Sequence, residues 1–150
     1  MSSINWLSRK PPIDTSLVKT LEHSLGVSFP EKYVETVSKF PMGHPDKTCF
    51  DMSDRQEAVF SRFLEIPPDN SGGIYSDYSF ISRNLESSRI IPFAEDPFGN
   101  FICFDYRDKN SNPSVVFWDH EADSDAGEES LKFIANSFDE FLDMLYEPDD

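Results

Sequence analysis

The chain has 150 residues, which is enough for one ordinary domain with a hydrophobic core and too few for two. Its 28 acidic and 13 basic residues give a formal net charge of −15. A surface this negative repels phosphate backbones and anionic lipids, so direct binding of nucleic acid or of a membrane is not expected. It attracts basic surfaces, although acidity can also do no more than keep a small protein soluble.

The N-terminal sequence, MSSINWLSRKPP, has no apolar segment of the kind found in secretory signals. No apolar run approaches the roughly 20 residues of a membrane-spanning helix. The two cysteines, Cys49 and Cys103, lie far apart, and Cys103 stands within an apolar run. That position is typical of a small core residue rather than of half a disulfide, so a location in the reducing cytoplasm is predicted.

Two consecutive helices are predicted near the N-terminus. The first spans residues 14–26, with Asp14 as its N-cap and Gly26 just after its end. The second follows at once, with Pro30 at position N1 and an end near Phe40. Their apolar faces contain Leu17, Val18, Leu21 and Leu25 in the first helix, and Tyr33, Val34 and Val37 in the second.

The segment from residue 44 to residue 79 has the least regular pattern. Residues 56–64 are compatible with either a short helix or a strand, and PPDNSGG at residues 67–73 is typical of a loop. The chain contains neither an internal repeat nor a convincing domain linker. One domain is therefore expected to cover residues 1–150, with a core from residue 14 to residue 146 and frayed termini.

Three strands are predicted at residues 90–94, 101–106 and 114–118. Their connections are short and polar, which favours antiparallel neighbours because parallel pairing needs a long crossover. Pro92 cannot donate a hydrogen bond to a neighbouring strand, so the first strand should be bulged or at an edge there. The other two strands are apolar on both faces, so helices or a bound partner must cover both sides of the sheet.

A closing helix is predicted from residue 137 to residue 146. Ser137 and Glu140 match the capping box. One face of the helix is apolar and contains Phe138, Phe141, Leu142 and Leu145. The predicted fold is α+β: a single domain in which N-terminal helices and a C-terminal helix pack around a twisted, mainly antiparallel sheet.

Glu95 and Asp96 are the first candidates for catalysis. Adjacent side chains of an extended segment point to opposite faces, whereas two carboxylates that act as acid and base must face each other across a substrate. Asp96, Gly99 and Asn100 are instead typical turn residues, separated here by Pro97 and Phe98. The pattern favours a hairpin turn over a catalytic pair.

The other patterns of chemical interest also fail their tests. In a calcium loop counted from Glu121, the sixth position would be Ala126 instead of Gly and the twelfth would be Lys132 instead of Glu. His120 has no zinc-ligand spacing around it, and Cys49 with His44 matches no nucleophile signature. The sequence therefore predicts no enzyme, no cofactor and no dedicated metal site, although weak, incidental binding of calcium or magnesium stays open.

The stretch from residue 119 to residue 129 contains six acids and no Lys or Arg. It is either a solvated acidic loop or a surface that steers a basic protein towards this one. Trp118, just before it, would be either a core residue or the anchor of that interface. The candidate partner-binding residues are Trp118, Asp119, Glu121, Asp123, Asp125, Glu128 and Glu129.

Four stretches of the chain, in order, resemble motifs of the SUKH superfamily, the Smi/Knr-type proteins. They are LGVSFPEKY at residues 25–33, IIPFAEDPFGNFICFD at 90–105, VVFWDHE at 115–121 and IANSFDEFL at 134–142. The turn, cap and packing positions within them are Gly26, Pro30, Tyr33, Asp96, Gly99, Asn100, Ser137 and Glu140. FPMG at residues 40–43 departs from the Asn-Gly-Gly-like helix end of many members, so the resemblance implies nothing about the loop that follows.

The resemblance implies an α+β domain without catalytic residues. Bacterial members are similar to immunity proteins encoded beside polymorphic or contact-dependent toxins, many of which are nucleases. With the net charge of −15, this predicts a cytoplasmic protein, monomeric or weakly dimeric, that binds and blocks a cognate toxin, expected to be a basic nuclease. Two alternatives are a regulatory scaffold for another cellular protein, and an enzyme or metal protein that uses Glu95, Asp96 or His120.

Overall fold

A central antiparallel sheet occupies the second half of the chain in the computed structural model, which describes residues 3–122 and 129–148. Within these residues the elements, in chain order, are β1 (Trp6–Leu7), α1 (Thr15–Leu25), α2 (Glu31–Lys39), β2 (His44–Pro45), β3 (Cys49–Met52), β4 (Arg55–Val59), β5 (Arg62–Phe63), α3 (Ile74–Leu85), β6 (Ile90–Glu95), β7 (Phe101–Asp105), β8 (Ser114–Trp118), β9 (Leu131–Ala135) and α4 (Phe138–Met144). The predicted α+β class is confirmed.

The sheet has five strands in the order β5-β6-β7-β8-β9, and every neighbouring pair is antiparallel, as predicted. The register between β6 and β7 shifts between Pro92 and Ala94. Because β6 is an inner strand, the irregularity predicted at Pro92 is a bulge and not an edge. The segment that was compatible with helix or strand forms strands: β4 pairs with β3, and β5 pairs with β6.

The first residues of the described chain belong to the packed structure. β1 pairs with β2, and the ring of Trp6 stacks on that of Phe63, with ring centroids 4.8 Å apart. Burial of aromatic surface of this size stabilises the segment that carries it. The packed part of the chain therefore begins before residue 14.

The main core lies between one face of the sheet and helices α1, α2 and α4. At its centre is Tyr33, fully buried and in edge-on contact with five aromatic rings: Phe29, Phe63, Phe93, Phe104 and Phe138. Such edge-to-face pairs add to the stability gained from burial alone. Burial raises the pKa of the Tyr33 hydroxyl, so this residue acts as a neutral packing element.

Helix α3 was not predicted, and it covers the opposite face of the sheet by packing over β6. Its Ile81 belongs to a second buried cluster, together with Ile90, Cys103, Val116 and Trp118. The inference that both faces of the inner strands need cover is thus confirmed. This second, smaller cluster positions the candidate site.

The predicted caps of α1 and the N-cap of α4 are confirmed, whereas α4 ends at Met144 and not at the predicted residue 146, and Pro30 is shifted by one position. The Asp14 carboxylate accepts a hydrogen bond from Ser16 N at 2.9 Å, and Gly26 has a positive φ of 69°. Pro30, predicted at N1, is the N-cap instead, because its ψ of 136° is extended and its carbonyl accepts the first helical bonds of α2. Ser137 caps α4 by accepting from Glu140 N at 3.0 Å.

The resemblance places residues 134–142 in the closing helix, but the helix begins only at Phe138. Ile134 and Ala135 are the last residues of β9, not the first of a helix. Both pack into the main core from the strand, and the chain turns into α4 only at Ser137.

Candidate partner-binding site

The turn between β6 and β7 is built around the buried carboxylate of Asp96. One oxygen accepts from Phe98 N at 2.9 Å and from Asn100 N at 2.8 Å, and the other accepts from Asn100 Nδ2 at 2.8 Å. Glu95 forms an ion pair with Arg62 of β5 at 2.8 Å. Since the two carboxylates have separate structural partners, the predicted hairpin turn is confirmed.

Asn100 joins this turn to the segment that follows β8. Its Oδ1 accepts from His120 N at 3.0 Å and lies 2.6 Å from His120 Nδ1. Gly99 lies against the same ring: it has a φ of 91°, and a Cβ there would stand 3.1 Å from His120 Cε1. Asp96, Gly99 and Asn100 therefore hold the start of the predicted acidic loop in place.

Asp119, predicted as a partner contact, is buried, and its carboxylate is engaged within the chain. It accepts from Glu121 N at 3.0 Å and pairs with Arg55 and Lys132, each at 3.3 Å. Burial alone would raise the pKa of Asp119, but these hydrogen bonds and positive charges lower it overall. Asp119 is thus an internal anchor for the loop and not an exposed acid.

Trp118, the predicted anchor for a partner, is also buried. Its ring stacks with Phe101 at 6.0 Å and meets Phe80 edge-on at 5.7 Å. Trp118 therefore has the core role that was weighed as its alternative. The Trp118 ring lies beneath side chains that reach the surface, among them Phe80.

We define as the aromatic face the side chains of Phe80, Phe101, Leu131 and Phe133 together with the buried ring of Trp118 beneath them. Phe80 on α3 is 44% exposed and Phe133 on β9 is 57% exposed. Val116 lies opposite Phe133, and Trp118 lies opposite Leu131, so these residues share the face that α3 partly covers. Single exposed apolar residues are ordinary, whereas larger apolar patches are typical of interaction sites, so this face is a candidate surface for a partner.

Exposed acids stand at one end of this face. The side chain of Glu121 is 82% exposed, with one oxygen 3.7 Å from His120 Nε2. Glu129 is also exposed, and its neighbour Ser130 accepts a hydrogen bond from Asp119 N. The other candidate acids, Asp123, Asp125 and Glu128, lie outside the described residues.

The described residues contain no group of three or more His, Cys, Asp or Glu side chains that could hold a metal ion. His44 Nδ1 lies 2.7 Å from Ser61 O, whereas the buried Cys49 thiol lies 3.8 Å from Thr48 Oγ1, so the suggested nucleophile and base have different partners. Burial raises the pKa of the Cys103 thiol, which suits a packing role. None of the described helices is long and apolar enough to cross a bilayer.

The sequence contained a signal for α3 that was missed. Ile74, Tyr78, Ile81 and Leu85 recur at helical spacing, and Phe80 lies beside that stripe. Phe133 had no comparable signal, because β9 places Lys132 on the core side of the strand, where it pairs with Asp54 at 2.9 Å. The two most exposed members of the aromatic face were therefore not predicted.

Asp77 on α3 makes stability depend on pH. Burial, and next the charge of Glu95, raise its pKa from 3.8 to about 6. Because the folded-state pKa is the higher one, this contribution to stability is complete below the unfolded value and is lost as the pH rises through about 6. We expect Asp77→Asn to raise the free energy of unfolding at pH 7.5 by less than about 1 kcal/mol, since solvent screens a half-exposed group.

Urea denaturation at several pH values checks this prediction. The gain from Asp77→Asn should shrink as the pH falls towards 4. Glu35→Gln, which removes an equally negative but exposed side chain on α2, is the control for net charge. Equal gains from both variants at pH 7.5 would contradict the role of burial.

A comparison with known families gives one match. The family model described as SUKH_6, SMI1-KNR4 cell-wall, matches residues 15–142, which is most of the chain. No curated protein is similar enough to count as a match. The match spans all four stretches that carried the resemblance, and the chain therefore belongs to the SUKH_6 family.

Proposed function

We propose that this protein is an immunity protein that binds a cognate toxin and blocks the surface the toxin needs for its substrate. The observation that carries the proposal is an exposed aromatic face with acids at one end, in a chain of a family that includes such proteins. The activity is one of binding. We place it in the cytoplasm, with the whole chain acting as one domain that is monomeric or weakly dimeric.

The charge of the chain suits a basic toxin, and a nuclease is the class we propose. A nuclease holds phosphate with Lys and Arg side chains, and exposed acids such as Glu121 and Glu129 can pair with them. A net charge of −15 also speeds the encounter with a basic partner, most strongly at low salt. Occupying the phosphate-binding groups would then exclude the nucleic acid.

Growth rescue tests the proposal. Toxin domains encoded next to this gene are expressed in a bacterial host with and without the chain, and wild type should restore growth. Binding of the purified pair should weaken between about 50 and 300 mM salt, because the Debye length shortens. Glu121→Gln with Glu129→Gln should slow association, whereas Glu35→Gln with Glu147→Gln, two exposed acids elsewhere, should not.

A regulatory scaffold is the second candidate, and the family's description, SMI1-KNR4 cell-wall, favours it. Rescue from a neighbouring toxin would support immunity. Absence of rescue, combined with tight binding to a non-toxic cellular protein, would contradict immunity and support the scaffold.

A further inference from the structure

Two polar side chains face each other at the surface just after β8. Nε2 of His120 lies 3.7 Å from Oε1 of Glu121, and the two side chains are 35% and 82% exposed. A protonated Nε2 would make this contact an internal ion pair. An unprotonated Nε2 would make it a pair of hydrogen-bond acceptors open to another molecule. The hydrogen bonds of the imidazole ring distinguish the two cases.

The side chain of Asn100 fixes a proton on the other nitrogen of the ring. The Asp96 carboxylate accepts hydrogen bonds, so the atom of Asn100 that lies 2.8 Å from it is the amide nitrogen. The amide oxygen points the other way and accepts from His120 N at 3.0 Å. The same oxygen lies 2.6 Å from His120 Nδ1, which must therefore carry a proton. In the neutral ring, Nε2 is then the nitrogen with the free lone pair.

The fold fixes the imidazole ring and the backbone of Glu121. The ring packs directly on Gly99, where a Cβ would stand 3.1 Å from the ring carbon Cε1. Glu121 N donates to the Asp119 carboxylate at 3.0 Å, and that carboxylate is itself paired with Arg55 and Lys132. Groups that are held before binding lose less conformational freedom when a ligand arrives.

The charge of Glu121 is open to a partner. No lysine or arginine of the described residues pairs with its side chain, and Arg55 and Lys132 are bound to Asp119 instead. At pH 8, where histidine is ordinarily neutral, lone pairs of His120 and Glu121 oppose each other. A cation that donates to both acceptors is therefore stabilised here.

The kind of acceptor favours arginine over lysine. The guanidinium group is planar and presents its N–H donors as a fork, which contacts two neighbouring acceptors at once. Arginine binds guanine in this way in DNA, through one oxygen and one ring nitrogen. Glu121 and His120 present the same two kinds of acceptor. A lysine ammonium is a point charge on a flexible stem and gains less from a fixed pair.

We propose that His120 and Glu121 form a binding site for an arginine side chain of the partner protein. Nε2 and Oε1 each accept one N–H of the guanidinium group, whose charge offsets that of the glutamate. This site deepens the proposed function and rests on it for the identity of the partner. An arginine with which a nuclease holds nucleic acid would be occupied by the two protein acceptors instead.

Nitrogen NMR of the histidine rings tests the protonation on which the site depends. At pH 8, the ring of His120 in the isotope-labelled chain should have a protonated Nδ1 and an unprotonated Nε2. His23, exposed on α1 with a ring that makes no hydrogen bond to a described residue, should show both tautomers. A protonated Nε2 in His120 would overturn the inference, because a donor cannot accept from arginine.

Two small probes test the preference for arginine. They are the N-acetyl methylamides of arginine and of lysine, which carry the same charge and are too short to bridge distant acids. In amide NMR titrations at pH 8, the arginine probe should bind about fivefold more tightly than the lysine probe. It should shift the signals of His120 and Glu121 most. Equal affinities, or shifts spread evenly over the acidic surface, would contradict the site.

Two pairs of matched variants locate the contact. His120→Asn keeps an amide donor for Asn100 but lacks the Nε2 acceptor, so it should weaken binding of the arginine probe about fivefold. Glu121→Gln should weaken that binding by a similar factor. The controls His23→Asn on α1 and Glu35→Gln on α2 should change it less than about twofold. Thermal unfolding verifies that all four variants remain folded.

Equal losses in a variant and its control would overturn the inference. A toxin separates the site from the proposed function. If wild type and the double variant His120→Asn with Glu121→Gln neutralise the toxin equally, the arginine site fails and the proposed function stands. If the probes bind as expected but no toxin is neutralised, the site stands and the proposed function fails.

Discussion

Replacing Phe93 with alanine is expected to lower the free energy of unfolding by about 3–5 kcal/mol. Phe93 is fully buried on β6 and stacks on Phe104, with ring centroids 4.0 Å apart. It also meets Tyr33 and Phe138 edge-on, at 5.8 and 5.6 Å. The substitution leaves a cavity where the sheet, α2 and α4 converge, and small domains have only about 5–15 kcal/mol of stability in total.

Urea denaturation, followed by circular dichroism, measures this loss. The matched control is Phe98→Ala, because Phe98 is 69% exposed at the tip of the β6–β7 turn. We expect that control to change the free energy of unfolding by no more than about 0.5 kcal/mol. Similar losses from both variants would mean that Phe93 does not lie in a tightly packed core.

Asp96→Ala is expected to cost about 3 kcal/mol of stability and to release His120 from its position. The variant leaves three donors on Phe98 and Asn100 without their acceptor. Asn100 then loses the bond that orients its amide, and so it no longer holds His120. Water can hydrogen-bond some of the released donors at the turn. The loss of stability is therefore smaller than the sum of the free energies of the three hydrogen bonds.

Two further variants separate structure from charge. Asp96→Asn keeps one acceptor oxygen and should cost about half as much. Asp108→Ala removes an exposed acid from the next turn and should have little effect. Denaturation gives the stabilities, and NMR signals of the His120 ring report its position. An unchanged His120 environment in Asp96→Ala would contradict the proposed link between turn and loop.

The elements predicted from the sequence are those whose signals are local. Helices α1 and α4 have side-chain caps at Asp14 and Ser137, and their apolar residues recur at helical spacing. Strands β6, β7 and β8 are continuous apolar runs separated by polar turns. In such segments the residue pattern over about ten positions is enough to predict the structure.

Helix α3 has apolar residues at helical spacing but lacks the signals at its ends that mark α1 and α4. It begins after Gly73 without a side-chain cap and ends at Glu86, which has a positive φ of 52° where Gly is usual. Its packing on β6 therefore contributes much of its stability, and the sequence alone does not show that β6 is its partner.

The sequence does not show which of the candidate partner-binding residues are exposed. Asp119 and Trp118 are predicted from the sequence as partner contacts, yet both are buried. Asp119 is held by Arg55, 64 positions earlier in the sequence, and Trp118 is covered by Phe80 from the unpredicted helix. Contacts between distant segments decide which acids stay exposed, and charge counting along the sequence cannot distinguish them.

The stretch between His120 and Ser130 is clamped at both ends. His120 N donates a hydrogen bond to Asn100 Oδ1, and Asp119 N donates one to the carbonyl oxygen of Ser130. Substitutions at residues 123–128 change neither of these two contacts, because neither contact uses a side chain from that segment. We therefore expect related sequences to differ more between residues 123 and 128 than at Asp96, Gly99 and Asn100, which hold the two strands and His120 together.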